Sequence, residues 1–212
     1  MQRHLEPEIM NEKNQVLAFH HGDREYGIKG FLDFYKKYVN LKKGKVVDLG
    51  CGTGSYLFAL ETQYPDLLIT GYDASEYMIE LGQTIAENIS SGVRLRCEYF
   101  KNIKDSADCV ISTNTLHHIH DSNIFWNCVK NISNNVFIMD LVRPKNKDIA
   151  KKIVDQLAKK DSELFKNDYY NSLLAAFDAD ELRQQILDTK LNLIIEGNTD
   201  FLQVAIIYGQ IQ

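Results

Sequence analysis

The stretch Val46-Val47-Asp48-Leu49-Gly50-Cys51-Gly52-Thr53-Gly54-Ser55-Tyr56 constrains this chain more than any other part of it. Val46, Val47 and Leu49 suit a strand covered on both faces, the pattern of a parallel sheet. Gly50, Gly52 and Gly54 let the backbone bend sharply and approach a ligand with no Cβ in the way. A helix is expected from Tyr56 to Tyr64, with its first NH groups open to the same crevice. Strand, glycine turn and helix in this order belong to an open α/β sheet, which takes its ligand at the carboxyl ends of its strands.

The glycine spacing narrows the ligand. A dinucleotide fingerprint needs Gly-x-Gly-x-x-Gly. Counted from Gly50 the third glycine falls on Ser55, and counted from Gly52 it falls on Leu57. No Gly-Lys-Ser/Thr triplet follows, so a P-loop is absent. What stands here is Asp-x-Gly-x-Gly-x-Gly, which resembles the first motif of the class I S-adenosylmethionine (AdoMet) methyltransferases. A cofactor without pyrophosphate asks the loop for bare backbone rather than for a phosphate cradle.

Leu68-Ile69-Thr70-Gly71-Tyr72-Asp73 is a second short apolar strand that ends in an acid, 25 positions after Asp48. In a doubly wound sheet this places Asp73 at the tip of the neighbouring strand, where a carboxylate can accept from both ribose hydroxyls. Ser75 is placed to N-cap the next helix, Tyr77 to Asn88. The run Gly71-Tyr72-Asp73-Ala74-Ser75-x-x-Met78 is similar to the second motif of the same family. The resemblance implies cofactor contacts from Asp48, Gly50, Cys51, Gly52 and Gly54, and then from Asp73, Ala74 and Met78. After a third strand, Val93 to Cys97, it implies Glu98 and Tyr99 at the adenine, with Glu98 in place of the commoner Asp.

Ala107 to Ser112 reads as the fourth strand. The run Leu116-His117-His118-Ile119-His120-Asp121 is similar to the Leu-His-His-x-x-Asp run of small-molecule methyltransferases, the ubiquinone and menaquinone group among them. Thr113 stands where that group often has Asn and is counted with the cofactor contacts. His117 is a candidate catalytic base or acceptor-pocket residue, while His118 is expected to order the loop. The Asn/Asp-Pro-Pro-Tyr/Phe signature of exocyclic-nitrogen methylation is missing. Asp140 and Arg143, past the fifth strand (Val136 to Leu141), point at the same crevice, with Arg143 a candidate anchor for an acidic substrate group. Tyr169 and Tyr170, in an insertion after that strand, are candidates for the second wall of the acceptor site. Asp178 to Leu187 reads as a helix capped by Asp178, and Leu191 to Glu196 with Phe201 to Tyr208 as a closing β-pair.

The resemblance implies a doubly wound, Rossmann-like α/β fold with a seven-stranded sheet of order 3-2-1-4-5-7-6, the last strand antiparallel. We divide the chain into a helical cap over residues 1–44 and a methyltransferase domain over 45–212, with a helical insertion over about 145–177. Glu8 to Phe19 and Ile28 to Val39 are expected helices, with His20 to Gly27 between them as a hinge or lid. At 212 residues the core needs no staples. A net charge of −5 argues against a nucleic-acid partner. No run is long and apolar enough for a membrane span, and residues 1–7 do not read as a signal peptide. The four cysteines form no Cys-x-x-Cys pair, so a reducing cytoplasm is expected and no metal centre. The reading is an AdoMet-dependent transferase of a methyl group to a small-molecule acceptor, as monomer or homodimer. The alternatives are a nicotinamide-dependent oxidoreductase and a non-catalytic AdoMet-binding protein.

Overall fold

A computed structural model describes residues 1–21 and 25–211 of the chain. Its seven strands form one sheet of order β3-β2-β1-β4-β5-β7-β6. The strands are β1 (Lys43–Leu49), β2 (Asp66–Asp73), β3 (Arg94–Cys97), β4 (Cys109–Thr113), β5 (Asn135–Leu141), β6 (Asn192–Gly197) and β7 (Gln203–Gln210). β3, β2, β1, β4 and β5 pair in parallel. β7 runs antiparallel to both β5 and β6, as expected of the last strand.

Period-two alternation sends consecutive residues of each strand to opposite faces. Val47, Val110, Ile138 and Ile207 join one core with Phe125, Trp126 and Val129 of helix α5 (Ser122–Ile132) and Leu182 of α8 (Ala179–Gln185). Val46, Ile111, Phe137 and Ile206 join the other core with Phe31 and Tyr35 of α2 (Glu25–Tyr38), Leu57 and Leu60 of α3 (Ser55–Gln63) and Ile79 of α4 (Glu76–Asn88). Phe31 and Tyr35 are both fully buried, so α2 forms part of the main core and packing marks no division at residue 44.

Helices α6 (Lys147–Leu157) and α7 (Glu163–Ala175) pack on each other through Ile153, Val154, Leu173 and Leu174. The helical insertion is thus a pair of helices. Ser162 caps the second by accepting from Phe165 N. Asp178 caps α8 in a full capping box with Glu181.

The first helix, α1, covers Lys13–His21 and starts later than its expected Glu8. Residues ahead of it form an extended strap held by side chains that helix geometry would have turned elsewhere. Ser75 Oγ donates to Met10 O at 2.6 Å. Glu8 accepts from His120 N at 2.8 Å and from Tyr99 OH at 3.0 Å. Arg3 donates to the carbonyls of Ala175, His117 and Ile119. The centre of the expected hinge, residues 22–24, lies outside the described residues, while His20 and His21 form the last turn of α1. Among the described residues no helix is long and apolar enough to cross a membrane.

Candidate functional site

The carboxyl ends of β1, β2 and β4 open on one cavity of about 580 Å³. Its floor is the glycine turn. Gly50, Gly52 and Gly54 all have positive φ, 77°, 53° and 82°, which side chains other than glycine rarely adopt. A Cβ on Gly50 would meet Thr115 Cγ2 at 2.2 Å, because Thr115 Oγ1 donates to the Gly50 carbonyl at 3.0 Å. The turn is therefore pinned between β1 and the loop after β4.

Asp73 locks it from the other side. One carboxylate oxygen accepts from Gly52 N and the other from Ser75 N, both at 2.8 Å. Burial raises the Asp73 pKa, and those NH groups oppose the shift. The carboxylate thereby joins the ends of β1 and β2 and lines the cavity. Ser75 caps α4 by accepting from Met78 N at 3.3 Å, as its position in the sequence implied. Asn114, at φ 52°, sits in the left-handed region at the tip of β4 and donates through Nδ2 to Tyr56 OH.

Gly50, Cys51, Gly52, Asp73, Ala74, Met78, Tyr99 and Thr113 all line this cavity. His117 and Tyr169 line it as well, from the polar and apolar sides respectively. Burial pushes the Cys51 thiol far up, Asp73 and Asp48 adding to the shift, so Cys51 lines the turn as an unreactive thiol.

Other expected residues lie elsewhere. Asp48 is buried beneath the turn, 1% exposed, with Oδ1 lacking a hydrogen-bond partner among the described residues. Burial, and Asp73 nearby, hold its pKa well above the usual carboxylate range. Gly54 is the N-cap of α3, where a Cβ would press on Phe58 and Leu95. Glu98 does not face the cavity. Its Oε1 accepts from Asn102 Nδ2 and Tyr99 N, which lowers its pKa and turns the carboxylate into a separate crevice beside Tyr72. Arg143 does not line the cavity. It is 7% exposed and spends its donors on Ala176 O, Asp178 and both oxygens of Glu181. Tyr170 packs on the α6–α7 core and not on the cavity.

Asp140 stands behind His117. Its Oδ1 is 2.5 Å from His117 Nδ1 and accepts from Leu141 N, and its Oδ2 accepts from Thr115 N and His117 N. Burial opposes the charged ring of His117, yet the Asp140 charge and hydrogen bond, with Glu6 adding, leave its pKa raised. Burial also pushes Asp140 up, and the partner ring overcomes it to leave that pKa lowered. His118 is driven down to about 3 by burial and by its neighbour His117.

Sequence reasoning missed the strap. Glu8 and Met10 line the cavity, and Glu6 reaches both histidines from the same segment. Asp168 was passed over too. It lines the cavity from α7 with Oδ2 unpartnered among the described residues, while Gln15 donates to Oδ1. No local pattern announces these residues, because each acts across a long stretch of chain.

A seven-stranded sheet with a pinned glycine turn and an acid at the next strand tip defines a doubly wound cofactor-binding domain. A family model described as a methyltransferase domain matches residues 40–195. The chain belongs to that family, the class I AdoMet-dependent methyltransferases. The match is to the domain at large and does not single out the ubiquinone and menaquinone group.

A ribosomal RNA small subunit methyltransferase C of Actinobacillus pleuropneumoniae is 31% identical over 101 residues, 47% of this chain and 30% of that protein. A carboxy-S-adenosyl-L-methionine synthase of Campylobacter hominis is 30% identical over 98 residues, 44% of this chain and 42% of that protein. The chain thus matches less than half the length of either relative. The plantazolicin methyltransferase BpumL, solved with a desmethylPZN analog and SAH, superposes with a TM-score of 0.70 at 16% identity, over 94% of this chain and 91% of that one. At that identity the likeness is one of fold.

Proposed function

We propose that the protein binds AdoMet across the tips of β1 and β2 and transfers its methyl group to a small, non-anionic acceptor. The carrying observation is the single cavity that joins the glycine turn and Asp73 to an apolar chamber under α6 and α7. Its volume of about 580 Å³ falls within the roughly 300–1,000 Å³ of small-ligand sites.

The residues fit the cofactor. Gly50 and Gly52 leave bare backbone where a flat ligand can lie, and Asp73 keeps acceptor capacity toward ribose hydroxyls. Met78 and Tyr99 offer apolar faces for the base. AdoMet, when bound, supplies an electrophilic methyl carbon. The work left to the protein is alignment, worth up to about 7–11 kcal/mol in the best intramolecular cases.

The lining supports the acceptor class. It carries Glu8, Asp73 and Asp168 and, among the described residues, no Lys or Arg. Polymeric phosphate is held by such cations, so the site favours a neutral or cationic acceptor over a nucleic acid. Leu141, Leu157, Phe165 and Val204 wrap its body, and Asp168 Oδ2 is poised to accept from a donor group on it.

The test is calorimetric titration with AdoMet and, separately, with NADH, on the wild type and Asp73→Asn. The amide keeps one acceptor oxygen for the loop but loses charge. Removing hydrogen bonds to a charged group worth about 1.5–3 kcal/mol should weaken AdoMet at least tenfold. Methyl transfer from labelled AdoMet to a panel of amines and phenols, against ribosomal RNA, then reads the acceptor class. Heat with NADH and none with AdoMet would overturn the reading in favour of an oxidoreductase. AdoMet binding with turnover only on RNA would overturn the acceptor class.

A further inference from the structure

At the polar end of the cavity three side-chain atoms converge without a hydrogen-bond partner among the described residues: Glu6 Oε1, His117 Nε2 and His118 Nδ1. Glu6 Oε1 lies 3.2 Å from His118 Nδ1 and 3.7 Å from His117 Nε2, and all three atoms fall within 4.8 Å of one another. His117 is 3% exposed, so its open nitrogen has no solvent to turn to.

We propose that these three residues form a divalent transition-metal site, with zinc as its natural ion. The spacing fits. A tetrahedral zinc with bonds of about 2.0–2.2 Å sets its ligand atoms roughly 3.3–3.6 Å apart, and the two carboxylate–imidazole distances bracket that range. The donor set fits as well, two imidazoles and one carboxylate being nitrogen and oxygen ligands of borderline softness.

Adjacent residues rarely reach one ion, and the local geometry explains how these do. They occupy a 3-10 turn, Leu116–His118, with ring centroids 4.2 Å apart. His117 offers its far nitrogen and His118 its near one, so two side chains of unequal reach meet the same carboxylate.

Both rings are already oriented for this role. His117 gives its other nitrogen to Asp140, itself fixed by three backbone NH groups. A carboxylate behind a ligating histidine is the usual support of a metal site. His118 turns its Nδ1 toward Glu6 Oε1, 3.2 Å away. Glu6 comes from the strap, so an ion here ties the strap to the tip of β4. Three protein ligands leave a fourth position, and because His117 and His118 line the cavity its occupant comes from there. That favours a water or an acceptor carrying an oxygen or nitrogen donor.

The experiment uses the full chain without an affinity tag, stripped with chelator and titrated with Zn²⁺ against a competing indicator dye. AdoMet is left out, so the result does not depend on the cofactor reading. One equivalent of zinc should bind, weakened at least tenfold in Glu6→Gln and in His118→Ala. X-ray absorption of the zinc-loaded wild type should show two imidazoles, a readout that needs no variant to fold. The proposal is overturned by a folded wild type that takes up no zinc, by zinc affinity unchanged in both variants, or by a coordination shell without paired imidazoles.

Discussion

Gly50→Ala is the sharpest test of how the site is built. Two penalties act together. Placing an L side chain at φ 77° costs about 1–2 kcal/mol. The new Cβ would also lie 2.2, 2.3 and 2.8 Å from Cγ2, Oγ1 and Cβ of Thr115, an overpacking that typically costs about 1–3 kcal/mol. Stiffening of the unfolded chain returns about 0.4–1 kcal/mol. The net loss is about 1–5 kcal/mol, which for a chain of this size lowers Tm by about 2–20 °C. The clash can be separated from the backbone strain. Thr115→Ala removes the two nearest atoms and by itself costs about 0.5–1.5 kcal/mol, for the bond to the Gly50 carbonyl. In that background Gly50→Ala should cost about 1–2 kcal/mol less. Thermal and urea melts of the four proteins close the cycle. Strictly additive losses, or a Gly50→Ala protein that melts with the wild type, would refute the view that Thr115 pins the turn.

Two further outcomes follow from buried charge. Arg143→Met should lower stability by about 2–3 kcal/mol, since it strips partners from Ala176 O, Asp178 and Glu181, two of which are exposed enough to re-solvate. AdoMet affinity, read by calorimetry, should stay within about twofold, and a selective loss of ligand binding with normal stability would restore Arg143 as an anchor. Asp48→Asn tests the acid under the turn. The Asp48 pKa is raised on folding, so the native state holds its proton longer than the unfolded chain and the wild type loses stability as pH rises from the unfolded toward the folded pKa. The amide mimics the neutral acid and should flatten that slope in melts taken from about pH 5 to about pH 9. An unchanged pH dependence would mean that Asp48 is ionised throughout.

The sequence by itself determined the sheet and much of the lining of one cavity at its strand tips. Those signals are local: apolar strands, glycines at positions with positive φ, and acids at strand tips, each carried within one element and its turn. They placed Gly50, Gly52, Asp73 and Met78 around one cavity before any contact was known. Side-chain direction at strand ends was not legible, since neighbours decide it. Asn102 turns Glu98 aside, and Asp178 and Glu181 draw Arg143 out of the crevice. The strap was less legible still. Glu8 meets His120 across 112 positions, and Arg3 meets Ala175 across 172. Contacts of that span leave no periodicity, because they form only after the sheet has brought the tip of β4 beneath the chain's first residues. The tertiary structure alone therefore decided that Glu8, Met10 and Asp168 join Tyr169 in the cavity wall, and it set Glu6 against His117 and His118.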